Sequence, residues 1–130
     1  LHQSQRRNGL AMTQNNLGGA LYRLGQRQSG KDAIARLNEA ITAYQNALQV
    51  RTKDSAPMDW AMTQENMALV YWARATFFDR ALGQSRAKAD LEQALFHVDA
   101  ALGVFDPVHS PHYHKKATAL RERIRSALNA

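Results

Sequence analysis

The densest cluster of side chains with metal-binding chemistry lies between residues 106 and 114. Its members are Asp106, His109, His112 and His114. Pro111 interrupts the segment, and on a helix His112 and His114 would point about 200° apart. A structural metal site needs four converging ligands. We therefore predict that these residues form a solvated entry to a helix and hold no metal.

Motifs of established enzyme mechanisms are missing from the sequence. It contains no Cys, which excludes a thiol nucleophile and a thiolate metal site. A Gly-rich phosphate loop, Gly-x-Ser-x-Gly and His-Glu-x-x-His are also lacking, and the carboxylates are scattered. His97 lies among apolar residues, where a hydrogen-bonded structural histidine is expected. We predict that the chain is not an enzyme and needs no cofactor.

A sequence repeat organises the chain. The segment AMTQNNL at 11–17 returns as AMTQENM at 61–67, with five identities at an offset of 50 residues. A second block that begins with ARLNEAI at 35 returns in weaker form at 89, an offset of 54. The unequal offsets indicate an insertion of four residues near 77–88. We expect one domain over 1–130, with repeats at 8–54 and 55–106.

Each repeat has the apolar spacing of two amphipathic helices. In the second block of repeat one, large apolar residues recur at steps of three and four, namely Ile34, Leu37, Ile41, Tyr44 and Leu48. Helix breaks are predicted at Gly25 with Ser29-Gly30, at 54–57, at Gly83 with Ser85, and at 106–111.

A fifth helix is predicted from Pro111 to the end of the sequence. Ser110 is the expected N-cap, and Pro111 suits the first turn, where its missing N–H has no role. One apolar stripe follows, made of Tyr113, Ala117, Leu120, Ile124 and Leu128. Polar residues occupy the other positions, so 107–130 is expected to be a capping helix.

Small and large residues alternate in the pattern needed for close helix packing. Repeat one carries Leu17, Gly18 and Leu21, then Ala40, Tyr44 and Ala47; repeat two carries Met67, Ala68 and Tyr71, then Ala94, Val98 and Ala101. This pattern resembles the tetratricopeptide repeat family over nearly the whole chain. The units exceed the usual repeat of about 34 residues and resemble the extended repeats of bacterial multi-repeat proteins and kinesin light chains.

The resemblance implies an all-α helical-repeat solenoid of two antiparallel helix pairs and a C-terminal capping helix. Arg121 aligns with Gly18 and Ala68, where so large a side chain is expected to block a further helix and end the array. The function that the resemblance implies is a protein- or peptide-binding scaffold, as the C-terminal part of a longer array.

The same resemblance implies a concave groove lined by the first helix of each pair. The predicted binding residues are Asn15, Asn16, Tyr22, Arg23, Glu65, Asn66, Leu69 and Trp72. In extended repeats, the position of Asn16 and Asn66 holds the backbone of a ligand, and an amide suits this role because it both donates and accepts. The alternative is that these amides only tie adjacent helices together.

The net charge of +6 makes a basic scaffold for nucleic acid the alternative function. Five basic residues against Glu122 give the last helix four net positive charges, namely Lys115, Lys116, Arg121, Arg123 and Arg125. These charges surround the apolar stripe, and stacking aromatics are missing apart from Tyr113. We therefore do not expect nucleic-acid binding.

Two further expectations concern assembly and location. Self-association is a structural alternative, because repeat proteins usually need about three units for stability. The sequence has neither an apolar run long enough to span a membrane nor a leader peptide, so we expect a cytoplasmic protein without membrane contact.

Overall fold

The chain folds into five α-helices. A computed structural model describes residues 2–81 and 84–130. The helices are α1 (His2–Arg27), α2 (Gly30–Leu48), α3 (Pro57–Ala81), α4 (Gln84–Leu102) and α5 (Pro111–Asn129). No β-strand occurs in these two ranges, so the predicted all-α class is confirmed. The predicted break at Gly83 lies outside the described residues.

The helices pack in the order in which they occur in the chain. Each helix contacts the next one, and α1 also contacts α3. One hydrophobic core extends from Leu37 of α2 to Ile124 of α5. Within it, Ala40 and Ala47 of α2 and Ala94 of α4 are fully buried, and their small side chains let neighbouring helices approach closely.

The turn between α1 and α2 falls at Ser29 and not at Gly25. The prediction that Gly25 breaks the helix is wrong, because this glycine packs against α2: a Cβ there would lie 3.1 Å from Leu37 Cδ2. Gly30 begins α2 with a φ of +57°. Glycine adopts this left-handed conformation without steric cost, so the predicted break at Ser29-Gly30 is confirmed.

The predicted breaks at 54–57 and 106–111 are confirmed. Thr52 and Ser55 close the first of these loops, with hydroxyl oxygens 2.8 Å apart, and Pro57 begins α3. Pro111 begins α5, but Ser110 does not cap that helix through its side chain as predicted. Its Oγ instead accepts the Asp106 N–H at 2.9 Å and donates to the Asp106 carbonyl at 3.2 Å. The hydroxyl is therefore used to close the preceding loop.

The apolar stripe predicted on α5 is confirmed. Ala117, Leu120 and Ile124 are buried, and the ring of Tyr113 stacks on Phe105, with centroids 5.1 Å apart. Ala117 therefore provides a small, fully buried residue where α5 packs on the core.

The expectation that Arg121 blocks a further helix stays a prediction. This side chain lies on the α4 side of α5, where its Nε donates to Asp99 Oδ1 of α4 at 2.5 Å. An opposite charge on the neighbouring helix thus holds Arg121 at the α4–α5 boundary.

The two terminal helices differ in what they expose. α5 exposes charged residues, including Lys115, Glu122 and Arg123, as predicted for a solvated face. α1 instead exposes large apolar residues, including Leu10 and Leu17. Among the helices of the described ranges, none combines the length and the apolar character needed to cross a membrane.

Candidate functional site

The candidate site is built on α1 and α3, the first helix of each pair. A side-chain hydrogen bond joins these helices: Thr63 Oγ1 of α3 donates to Asn15 Oδ1 of α1 at 3.1 Å. Thr63 is buried and Asn15 is half-buried. The contact sets α1 beside α3, so the predicted binding residues of both repeats lie on adjacent helices.

Glu65 of α3 is the equivalent of Asn15 one repeat later. It also faces a neighbouring helix, which in this case is α5. Its side chain is buried, with Oε1 3.4 Å from Lys116 Nζ of α5. Among the residues that the structure describes, none forms a hydrogen bond with the buried Glu65 Oε2. The structure therefore places Asn15 and Glu65 in helix–helix contacts, whereas the sequence placed them on an open groove face.

Asn16 and Asn66 occupy the next position around their helices. Each residue advances an α-helix by about 100°, which turns these two amides away from the contacts made by Asn15 and Glu65. Asn16 is exposed and Asn66 is half-exposed. The role of tying helices together thus belongs to Asn15 and Glu65, and ligand binding by Asn16 and Asn66 stays a prediction.

Tyr22 and Arg23 lie one to two turns further along α1. Tyr22 is half-buried, and its Oη accepts a hydrogen bond from Gln26 Nε2 at 3.0 Å. Burial raises the pKa of Tyr22, and the bond from Gln26 opposes that shift. Arg23 is exposed, so this part of the face presents a phenol beside an exposed guanidinium.

Trp72 lines a cleft at the C-terminal end of α3. The cleft has a volume of about 580 Å³ and lies among the C-terminal parts of α3 and α5 and the start of α4. Leu91 of α4 and Leu128 of α5 are the other large apolar residues that line it, and Lys88 lines it as well. Leu69, one turn before Trp72, is half-buried against the core.

His97 has a structural role, and that prediction is confirmed. Its Nδ1 is 2.5 Å from Gln64 Oε1 of α3, and its ring stacks on Tyr71 with centroids 5.3 Å apart. Burial lowers the pKa of His97, since the charged imidazolium loses solvation. A neutral, stacked imidazole of this kind connects α3 to α4.

The Asp106 cluster forms the loop before α5. Asp106 Oδ1 accepts the backbone N–H groups of Val108 at 2.8 Å and His109 at 2.6 Å. These bonds lower the pKa of Asp106, and the bond from the His109 N–H has the largest effect. Within the described residues, no group of three or more His, Cys, Asp or Glu is arranged to hold a metal ion.

Two of the five basic residues of α5 are engaged in ion pairs. Lys116 pairs with Glu65 at 3.4 Å, and Arg121 pairs with Asp99 at 2.5 Å. Glu65 and Asp99 thus offset part of the positive charge of α5.

Sequence reasoning missed an ionic cluster between the repeats. Arg74 of α3 donates to both carboxylate oxygens of Asp90 of α4, at 2.7 and 2.8 Å, and to Asn38 Oδ1 of α2 at 2.7 Å. The hydrogen bonds to Asp90 raise the pKa of Arg74. The signal was available in the repeat alignment, where Arg74 replaces an apolar residue, Leu24, and Asp90 replaces a residue of opposite charge, Arg36.

The chain was compared with protein-family models, with curated proteins and with solved structures. No match was found in any of the three comparisons.

Proposed function

We propose that the chain is a helical-repeat module that binds a peptide or a segment of a protein, with Trp72 as the main apolar contact. The observation that carries this proposal is the cleft of about 580 Å³ beside Trp72, a residue that the sequence predicts to bind the ligand. Binding clefts are typically concave and largely apolar, with a few polar groups that orient the ligand.

The surroundings of Trp72 support a peptide ligand in particular. Trp72, Leu91 and Leu128 offer apolar contact to a side chain, and Lys88, which also lines the cleft, can donate a hydrogen bond to a carboxylate or a backbone carbonyl. The walls belong to three packed helices, so little conformational entropy is lost when a ligand binds.

A binding role also agrees with the state of the titratable residues. His97 is stacked and hydrogen-bonded, and Asp90 and Asp99 are paired with arginines. These groups stabilise helix contacts, which favours a module without catalysis. The tetratricopeptide-like arrangement, the bacterial character and the cytoplasmic location are parts of this proposal that rest on the sequence.

The two tryptophans of the chain provide the test. Random peptides displayed on phage would be selected against the protein, and selected peptides would then be titrated into Trp60→Phe, where Trp72 is the sole emitter. We expect a saturable change of Trp72 fluorescence. In Trp72→Phe, which retains Trp60 at the start of α3 near Lys53, the same peptides should leave the emission spectrum unchanged.

Affinity provides a second measurement. Trp72→Ala should weaken the selected peptides by about tenfold or more, the loss typical of a buried aromatic contact. Peptides that bind Trp72→Ala as tightly as the unmodified protein would contradict the proposal, provided that circular dichroism shows the variant to be folded.

A further inference from the structure

The exposed leucines of α1 form a continuous surface. Leu10, Leu17 and Leu24 are 62%, 44% and 43% exposed. Their spacing of seven residues keeps them on one side of the helix, with a drift of about 20° per step. Leu17 lies roughly 160° around the helix from Asn15, which contacts α3. These three residues, the leucine stripe, therefore lie on the side of α1 that is away from α3.

The second repeat shows how the same helix face is covered. One repeat after the leucine stripe, the equivalent residues are Trp60, Met67 and Arg74. Met67 is 1% exposed, and Arg74 donates to Asn38 of α2 at 2.7 Å, because α2 packs on α3. An amphipathic helix thus occupies this face in repeat two, whereas among the described residues the leucine stripe of repeat one stays 43–62% exposed.

The charges beside the leucine stripe determine which helix fits. α1 carries Arg6 and Arg7 near its start and Arg23 and Arg27 near its end, all exposed, and it contains no Asp or Glu. If two copies of α1 paired, arginines would oppose arginines in the parallel and the antiparallel orientation alike. Like charges in an interface cost affinity, so a second copy is disfavoured and a helix with acidic ends is complementary.

We propose that the leucine stripe binds an amphipathic helix of a partner protein. The apolar seam of that helix packs on Leu10, Leu17 and Leu24, and its carboxylates lie opposite the arginines at both ends of α1. Heptad-spaced leucines are suited to such pairing, with the flanking charges setting the choice of partner. The surface is separate from the cleft at Trp72, so the two proposals stand or fall independently.

The probe is a synthetic peptide of three heptads with Leu at the seam and Glu at the flanking positions. A matched peptide carries Lys in place of each Glu. Fluorescence anisotropy at about 50 mM salt should show that the Glu peptide binds at least tenfold more tightly than the Lys peptide, and that salt weakens it. Leu17→Lys should weaken the Glu peptide by tenfold or more. Val108→Lys adds the same charge at a residue outside the helices that is 78% exposed. This control variant should bind the Glu peptide as tightly as the unmodified protein does.

A charge reversal separates this docking from general stickiness. The double variant Arg23→Glu and Arg27→Glu should lose affinity for the Glu peptide and gain it for the Lys peptide. All these residues are exposed, so circular dichroism should show intact helices.

Three results would overturn the proposal. The first is failure of the Glu peptide to bind, and the second is equal binding by the Glu and Lys peptides. The third is a dimer in sedimentation that Leu17→Lys dissolves, which would identify a second copy as the occupant of the stripe.

Discussion

The ring of Tyr44 lies directly on the backbone of Gly18. A Cβ on Gly18 would be 2.7 Å from Tyr44 Cε1 and 2.8 Å from two other ring carbons, and Tyr44 is only 3% exposed. One repeat later, the equivalent residues are Ala68 and Val98, both fully buried. The two repeats thus fill the same contact differently. Repeat one pairs the smallest residue, Gly18, with the large Tyr44, and repeat two pairs two residues of intermediate size, Ala68 and Val98.

This relationship predicts a change of sign in a double-mutant cycle. Gly18→Ala should destabilise the protein, because overpacking costs about 1–3 kcal/mol and exceeds the gain of about 1 kcal/mol in helix propensity. In the Tyr44→Val background the ring is gone, and the same substitution should stabilise by about 1 kcal/mol. Urea denaturation of the four proteins measures both effects.

The matched control for that cycle is Gly9→Ala. Gly9 is also in α1, and a Cβ there would meet nothing within 4 Å, so the substitution should stabilise in either background. If Gly18→Ala raised stability as Gly9→Ala does while Tyr44 was present, the packing argument would be wrong.

The second prediction concerns the cluster of Arg74, Asp90 and Asn38. Asp90 is 4% exposed, and its carboxylate is bound by the Arg74 guanidinium at 2.7 Å. Arg74→Met would leave that buried charge without its partner, which typically costs about 3–5 kcal/mol. The free energy of unfolding in urea should fall by that amount.

Two companion variants separate the pair from its environment. Adding Asp90→Leu to Arg74→Met should recover most of the lost stability, since the unpaired charge is removed as well. Asn38→Ala leaves the ion pair in place and should cost only about 1 kcal/mol. A double variant no more stable than Arg74→Met alone would show that packing, and not charge, dominates this cluster.

The third prediction is that Glu65 is a stability defect. Glu65 is 4% exposed, and one of its carboxylate oxygens has no hydrogen-bond partner in the described part of the chain. The Lys116 side chain is 60% exposed and therefore well screened by solvent. Glu65→Met, similar in size and uncharged, should raise the free energy of unfolding by about 1 kcal/mol. Lys116→Ala should change it by less than about 1 kcal/mol, and a loss of stability in Glu65→Met would refute the prediction.

The fourth prediction is a pH dependence that belongs to His97. Burial lowers its pKa from the ordinary value of 6.5, so at and below that pH the unfolded chain binds more protons than the folded one. Stability contributed by neutral His97 is therefore complete above pH 6.5 and declines as the pH falls through 6.5 toward the lower folded pKa.

His97→Phe tests this sign. The phenyl ring retains an aromatic surface for Tyr71 but cannot titrate, so the variant should show a smaller loss of stability between about pH 7 and pH 5. Subtracting its urea midpoints from those of the unmodified protein removes the contribution of the other histidines. Identical pH profiles for the two proteins would exclude His97 as the group responsible.

The sequence alone determined the helices and much of their buried faces. Spacings of three and four residues are a local property of the chain, so the α5 stripe through Ala117 and Ile124 was readable without a structure. The surroundings of His97 were equally local, and its structural role followed from them.

Tertiary structure decided which of two adjacent residues meets a neighbouring helix. Asn15 and Asn16 differ by one step of about 100°, and only the rotation and approach of α1 and α3 bring Asn15, and not Asn16, to Thr63. Gly25 continues α1 because α2 lies against it, although glycine is ordinarily a signal for a helix end.

The ionic contacts between helices were decided in the same way. Arg74 and Asp90 are 16 residues apart, and Arg121 and Asp99 are 22 apart. Long side chains can reach several neighbours, so their pairing depends on how whole helices are placed, and helical periodicity carries no information about that placement.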